Sequence, residues 1–430
     1  MADVTITVSK HHASMLRNTL RALRHRNFRL FIEGQMCSLI GYWMQNIAQS
    51  WLLYRLTEST TLLGMLAFAG SVPILLLAPL AGLWSDRANL HRLMFTIQVL
   101  EMVQAAALAA LAVSGAIEPW HIVALSMLLG VLVAIELPVR HAYLLELVGD
   151  KADLPNAVAV TSMMANSGRL IGPALAGVAI GWIGEAGCFI INTFSYIAVV
   201  VTFLMMRVAP RARPETHSSV MEGLSEGLRY AWHSIPIRLL LLMLAITGFL
   251  ATPYAALMPA LTREVLHGGA QEMGFLVGAA GLGGLAGTVY LASRRNVRGL
   301  VTIIIYAILS AGTALAALSW TSSLWLALPL LVVIGFCILV TSVSVNMILQ
   351  TIVDDDKRGR VMSLYTAAFL GISPFGALAA GATADWIGVT ATLTVSGACC
   401  VVGAFYLASR LPQIRAHIRP IYGRLGITRR

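Results

Sequence analysis

The chain is 430 residues long, 58% hydrophobic and only 12% charged, with a formal net charge of +10. Soluble domains carry about 25% charged residues, which excludes an ordinary soluble enzyme. Basic nucleic-acid binders gather Lys and Arg on solvated faces, not at the ends of apolar runs as here, so nucleic acid is not an expected partner.

The first 27 residues are polar and basic and read as a cytoplasmic arm, 1–27, without the apolar region of a cleaved signal peptide. A bilayer core about 30 Å thick takes roughly 20 apolar residues per helix. On that measure spans are predicted at 28–54, 61–84, 92–114, 119–138, 157–181 and 186–207, which together form a bundle over 28–207. A hydrophilic linker, 208–236, follows and carries Pro210, Pro214 and Pro236. Within it Ser219 and Glu222 have capping-box spacing, and Val220, Leu224, Leu228 and Trp232 recur every four residues, which predicts a short amphipathic helix on the membrane face. Further spans are predicted at 237–261, 271–293, 299–319, 323–350, 360–384 and 388–410, a second bundle over 237–410, before a basic tail at 411–430. The expected fold is an all-α membrane protein of twelve transmembrane helices in two pseudo-symmetric six-helix halves.

The basic residues orient it. Of the 30 Lys and Arg residues, six lie in the N-terminal arm and the first two residues after it (Lys10, Arg17, Arg21, Arg24, Arg26 and Arg29), fifteen on or at the edges of the even-numbered loops and six at the tail, against only Arg55 and Arg263 on the other connections and Arg169 deep inside a span. The positive-inside rule then places both termini in the cytoplasm. The five cysteines all lie in apolar stretches without metal-ligand or disulfide spacing. None of the three lysines, Lys10, Lys151 and Lys357, follows glycine, so no Walker A phosphate loop exists and no ATP cofactor is expected. No metal, other cofactor or enzymatic activity is expected either.

The two halves echo each other. Asp150, Lys151 and Asp153 precede a span holding Gly172-Pro173 and ending at Trp182-Ile183-Gly184. Asp354 to Arg358 precede one holding Ser373-Pro374 and ending at Trp386-Ile387-Gly388. Repeated halves are the architecture of alternating-access transporters.

The stretch Gly82-Leu-Trp-Ser-Asp86-Arg87-Ala-Asn-Leu-His91-Arg92 resembles the loop motif between helices two and three of the major facilitator superfamily, with Asn89 and Leu90 departing from the pattern. Gly168-Arg-Leu-Ile-Gly172-Pro173-Ala-Leu-Ala-Gly177 resembles the fifth-helix motif of its antiporter branches. Trp43-Met44-Gln45, Trp51-Leu-Leu-Tyr54 and Glu136-Leu-Pro138-Val-Arg140-His141-Ala142 resemble the bacterial subgroup that includes the enterobactin exporter and macrolide efflux proteins. The resemblance implies an inner-membrane transporter. It also implies a central cavity lined by helices one, four, seven and ten.

Four ionisable residues within spans are candidates for proton coupling. Arg169, about 18 Å into a core of roughly 30 Å, is too deep to reach bulk water and should face the interior or an aqueous cavity with a partner. The alternative is a structural Arg that pins two helices together. Glu136 and Glu33 lie shallower, on helices that the resemblance assigns to the cavity. Glu101 forms a polar stripe with Gln98 and Gln104, which also reads as an interhelical hydrogen-bond seam. Gly82, Asp86, Arg87, Arg92 and Arg140 form a candidate cytoplasmic gate, in which Asp86 would meet the helix end near Arg360 and a basic neighbour such as Arg140; solvated loop charges are the plainer reading. Gly168, Gly172, Pro173 and Gly177 form the antiporter-like helix motif. Gln45 and Gln49, four residues apart on one face, are candidate substrate contacts and equally good interhelical links.

The expected function is secondary active export of an amphipathic small molecule, drug-like or siderophore-like, by proton antiport. Its partners are then substrate, protons and the lipid bilayer, and the chain is expected to act as a monomer. An uptake permease or facilitator for a polar nutrient is the alternative; a transport-inactive sensor on the same scaffold is a third.

Overall fold

The apolar runs become helices whose ends are set by a few polar and glycine residues. A computed structural model describes residues 21–150, 152–208, 229–294, 296–354 and 357–424; of 78–87 and Arg424 it describes the backbone alone. The expected amphipathic segment around Ser219 and Glu222, the arm before Arg21 and residues 425–430 lie outside the described residues. Every regular element among the described residues is helical. The principal helices are α1 (Arg26–Thr57), α2 (Thr60–Arg87), α3 (Leu90–Val113), α4 (Pro119–Val148), α5 (Leu154–Met205), α6 (Ile235–Leu250), α7 (Ala270–Ala292), α8 (Leu300–Ser319), α9 (Leu324–Ile352), α10 (Arg358–Thr366), α11 (Ser373–Ile387) and α12 (Val389–Arg424).

Asn89, one of the two departures from the loop motif, is the N-cap of α3: its side chain accepts the Arg92 backbone N–H at 3.0 Å. A short amide satisfies a first-turn donor that no intrahelical carbonyl reaches. At the start of α4 the side chain reaches back instead: His121 Nδ1 accepts the Glu118 backbone N–H at 3.1 Å, and Pro119 fills the first turn.

At 52 residues α5 is far longer than a bilayer needs. It bends at Gly184, whose φ of 72° would be strained for a residue with a Cβ, into arms at 154–183 and 185–205. Gly388, with φ 86°, separates α11 from α12. The repeated Trp-Ile-Gly therefore repeats a backbone geometry as well as a sequence. The predicted spans 237–261 and 360–384 are broken helices and not single rods. After α6 come a 3-10 turn (Thr252–Ala255) opened by Pro253 and a π-helical turn (Leu261–Val265), and a π-helical turn (Ala367–Gly371) joins α10 to α11 ahead of Pro374.

Ten segments among the described residues are long and apolar enough to cross a membrane. The bent α5 contributes one of these. α1 is not among them, because Arg26, Arg29, Glu33 and a series of amides lower its hydropathy along its 32 residues.

Helices α1 to α5 pack into one bundle and α6 to α12 into another, joined along two seams, α5 on α7 and α2 on α11. Both seams close on glycine. A Cβ on Gly177 would lie 2.9 Å from Gly274 Cα, and one on Gly381 would lie 3.0 Å from Gly64 Cα. Only backbone fits there, as in small-residue helix pairs in membranes.

The apolar cores give the molecule two unlike ends. At the end away from the termini a single core takes residues from both halves, among them Leu53, Leu63, Ile180, Leu261, Met273 and Leu393. At the end carrying the termini there are two cores, one in each half. Phe28, Met94, Tyr143 and Phe203 belong to the first, and Leu240, Ile304, Ile352 and Ile418 to the second. The halves are welded at the distal end and separate toward the termini.

Candidate functional site

The first half buries a polar cluster between α1, α3, α4 and the second arm of α5. Glu101 and Glu136 are each 3% exposed. Gln98 joins them, its Nε2 donating to Glu101 Oε2 at 3.1 Å and to Glu136 Oε1 at 2.9 Å. One turn along α4, Arg140 Nη2 pairs with Glu136, while Arg140 Nε is buried without a hydrogen-bond partner. Tyr196 of α5 lies beside Glu101, and Gln35 of α1 donates to Gln98 at 3.4 Å. Two carboxylates and one guanidinium thus share a closed site. Its charge is zero with one proton bound and −1 without, a full buried charge apart.

A second, uncharged layer lies further from the termini. Gln45, fully buried, donates to Gln104 Oε1 at 3.1 Å and accepts from Asn192 at 2.8 Å; Gln104 in turn donates to the Leu125 carbonyl at 3.0 Å. The geometry of Gln45 is that of the interhelical link. Gln49 is also buried and its Nε2 has no hydrogen-bond partner.

The remaining candidates are dispersed. Glu33 is exposed and pairs with Arg29 at 3.8 Å, one turn away on its own helix. The gate candidates Gly82, Asp86 and Arg87 lie in α2 with side chains outside the described set; Arg92 is exposed, and Arg140 faces Glu136. Arg169 is exposed at mid-depth, and its guanidinium lies over the Trp43 ring, 5.9 Å from the centroid. Among the described residues no ion pair includes it, so its partner is aromatic, not acidic.

Sequence reasoning did not single out the links across the distal end. Asp385 of α11 caps α2 from the opposite half, accepting from Thr60 N at 2.7 Å, Thr60 Oγ1 at 2.6 Å, Ser59 Oγ at 2.9 Å and Thr61 N at 3.1 Å. Arg263 donates to Glu58 at 2.9 Å, and the Tyr54 hydroxyl donates to Glu264. One acid at the apolar end of a span, three residues before a positive-φ glycine, was the available signal for Asp385. At the other end, Arg21 and His25 Nε2, the latter at 2.9 Å, hold Asp153; the His25 contact first and Arg21 second keep its carboxyl below the usual Asp range.

Two helical bundles joined at one end, the first of them burying a charge network, have the architecture of a membrane transporter. A solved nucleoside transporter, NupG, superposes with a TM-score of 0.72 over 90% of this chain and 99% of its own, at 11% identity, a likeness of fold. The family described as transmembrane secretion effector matches residues 17–421, and the chain belongs to it, within the major facilitator superfamily. It is similar to the staphyloferrin A transporter of Staphylococcus aureus, 26% identical over 90% of this chain and 97% of that one. It is also similar to the multidrug efflux pump Tap of Mycolicibacterium fortuitum, 24% identical over 86% of this chain and 91% of that one. The chain is a multi-pass membrane transporter, not an enzyme.

Proposed function

We propose that this chain is a secondary exporter that moves an amphipathic small molecule outward in exchange for a proton. It would span a bacterial inner membrane twelve times, with arm, linker and tail in the cytoplasm. In that count α1 is the first span, the two arms of α5 are the fifth and sixth, and α10 and α11 together are the eleventh; six spans lie on each side of the 208–236 linker. The protein would act as a monomer. With the termini inside, the welded distal end is the closed outer gate and the separated cores belong to the inward-facing state. The loop around Asp86, Arg87 and Arg92 would latch the opposite, outward-facing state.

The observation that carries the reading is the Glu101-Gln98-Glu136-Arg140 cluster. A proton on either carboxylate makes it neutral; losing that proton leaves a buried negative charge that a rearrangement of α3 against α4 must solvate or pair. One proton moving inward across 100 mV releases about 2.3 kcal/mol, enough to concentrate a neutral substrate roughly fiftyfold. Similarity to a staphyloferrin A transporter and to a multidrug efflux pump supports transport of such molecules, and the second supports export.

The test is dye efflux from energised cells, together with proton release in everted vesicles when substrate is added. Wild type should lower accumulation and recover it with an uncoupler; Glu136→Gln and Glu101→Gln should each cut proton-driven transport at least tenfold. Accumulation that rises on expression would identify an uptake permease instead. Full coupling in both variants would remove the cluster from the mechanism.

A further inference from the structure

Arg169 has no place in proton exchange of its own, since a guanidinium keeps its proton at any physiological pH. Its surroundings are nonetheless built. Gly168 and Gly172 of α5 admit Leu39 and Trp43 of α1 against the α5 backbone, where a Cβ on Gly172 would lie 3.3 Å from Trp43 Cγ. That contact seats the Trp43 ring beneath the guanidinium one helical turn away. From the other half, Gly281 of α7 packs on the Arg169 and Leu170 backbone, with an added Cβ 3.1 Å from the Arg169 carbonyl. Helices of both halves thus converge on one exposed guanidinium near the middle of the bundle. The buried carboxylates, Glu101 and Glu136, are occupied with Gln98 and Arg140.

A permanent charge at that depth must meet water or an anion. We infer that Arg169 and Trp43, where α7 packs on the Arg169 backbone, form the recognition site for the anionic group of the transported molecule, a carboxylate joined to an aromatic or apolar body. The guanidinium fork offers two parallel N–H donors matched to the two carboxylate oxygens, and Trp43 offers a flat apolar face to the body. The site lies where α1 and α5 of one half meet α7 of the other, so rocking the halves would open and remake it, as release of a bound substrate requires. The inference deepens the export reading by naming the substrate class, and it rests only on the transport path running between the halves. An anion leaving while a proton enters moves two charges in the same electrical sense, so the membrane potential would count twice in each cycle.

The test uses purified full-length protein and two fluorescent probes that differ in one group, dansyl-glycine and its neutral relative dansyl-glycinamide. Saturable binding should favour the acid over the amide by about 10- to 100-fold, the range of a charge-assisted hydrogen bond. Arg169→Ala should erase that preference while amide binding persists, and Arg169→Lys should restore part of it. Trp43→Ala should weaken both probes together. Equal affinities of wild type for the two probes, or no saturable binding of the acid at millimolar concentration, overturns the inference; this arm needs no variant and so survives a misfolded Arg169→Ala. An acid preference that persists in a folded Arg169→Ala assigns the residue to helix packing and also overturns it. Loss of proton coupling with the preference intact would count against antiport alone, and loss of the preference with coupling intact against this site alone.

Discussion

The two halves share a scaffold and differ in what they bury. Among the described residues the first half buries Glu101, Glu136, Gln35, Gln45, Gln49, Gln98, Gln104 and Asn192; the second buries only hydroxyls, Thr247, Thr262, Ser319, Thr321, Thr341, Ser342, Ser344 and Thr392. The difference is mechanical. A threonine hydroxyl satisfies itself on its own helix, as Thr247 does on Met243, Thr262 on Met258 and Thr392 on Gly388. A buried glutamine or glutamate reaches further and also bonds across helices, as Gln98, Gln45 and Glu136 do. The first half is thereby stitched into a block around a buried charge cluster, while the second carries fewer such ties, Ser342 to Tyr365 at 2.7 Å and Ser319 to Thr394 at 2.8 Å. Among the described residues the acid of the second half with the most hydrogen bonds, Asp385, makes them to the first half.

The largest effect expected follows from breaking the stitching. Arg140→Ala leaves Glu136 and its neighbour Glu101 without their cation, and removal of one partner of a buried pair costs on the order of 3–5 kcal/mol. The variant should unfold at markedly lower temperature in detergent, and the double variant Arg140→Gln with Glu136→Gln should recover most of the loss without recovering coupling. A double variant no more stable than Arg140→Ala would mean that the guanidinium serves the fold through contacts other than Glu136.

Next in size is the link between halves. Asp385→Ala removes four hydrogen bonds and the acceptor that caps α2, and losing a cap costs about 0.5–2 kcal/mol. Here that cost falls on one conformational state, so it should appear as a shift of about 2- to 30-fold toward a parted distal end, not as lower stability. Spin-label distances between the distal ends of α2 and α11 read it directly. An unchanged distance distribution would show that the glycine seams alone hold that end.

How much of this was legible beforehand follows from the same contrast. Helices were readable because apolar runs and their glycine and proline punctuation are local, and Trp182-Ile-Gly184 against Trp386-Ile-Gly388 revealed the repeat. The bend at Gly184 with continuous helix on both sides was not, since helix in a membrane persists wherever backbone groups remain paired. Gln98 and Glu101 were visible as a stripe on one helix. Their junction with Glu136 and Tyr196 depends on how α3 is rotated against α4 and α5, and one helix's periodicity does not carry that angle. Arg169 was legible by depth alone; that its partner is the Trp43 ring follows from α1 lying against the glycines of α5, a contact made only once the bundle is assembled.

The smallest effect is the one that measures the contrast itself. Thr247→Val deletes a buried hydroxyl whose bond runs only to the Met243 carbonyl at 2.8 Å on the same helix, and that carbonyl keeps its α-helical partner. No other helix loses a partner, and the shape is nearly conserved, so the change in stability should stay within about 0.5 kcal/mol, as for substitutions that break no network. Gln104→Leu, a comparable deletion in the first half, strips Gln45 of an acceptor and the Leu125 carbonyl of a donor, and should cost about 1–3 kcal/mol. Thermal unfolding of the two variants side by side gives the ratio. If Thr247→Val proves as costly as Gln104→Leu, the self-bonded hydroxyls of the second half are ties between helices after all, and any freedom of that half to move must come from the broken segments at Thr252–Ala255 and Ala367–Gly371 instead.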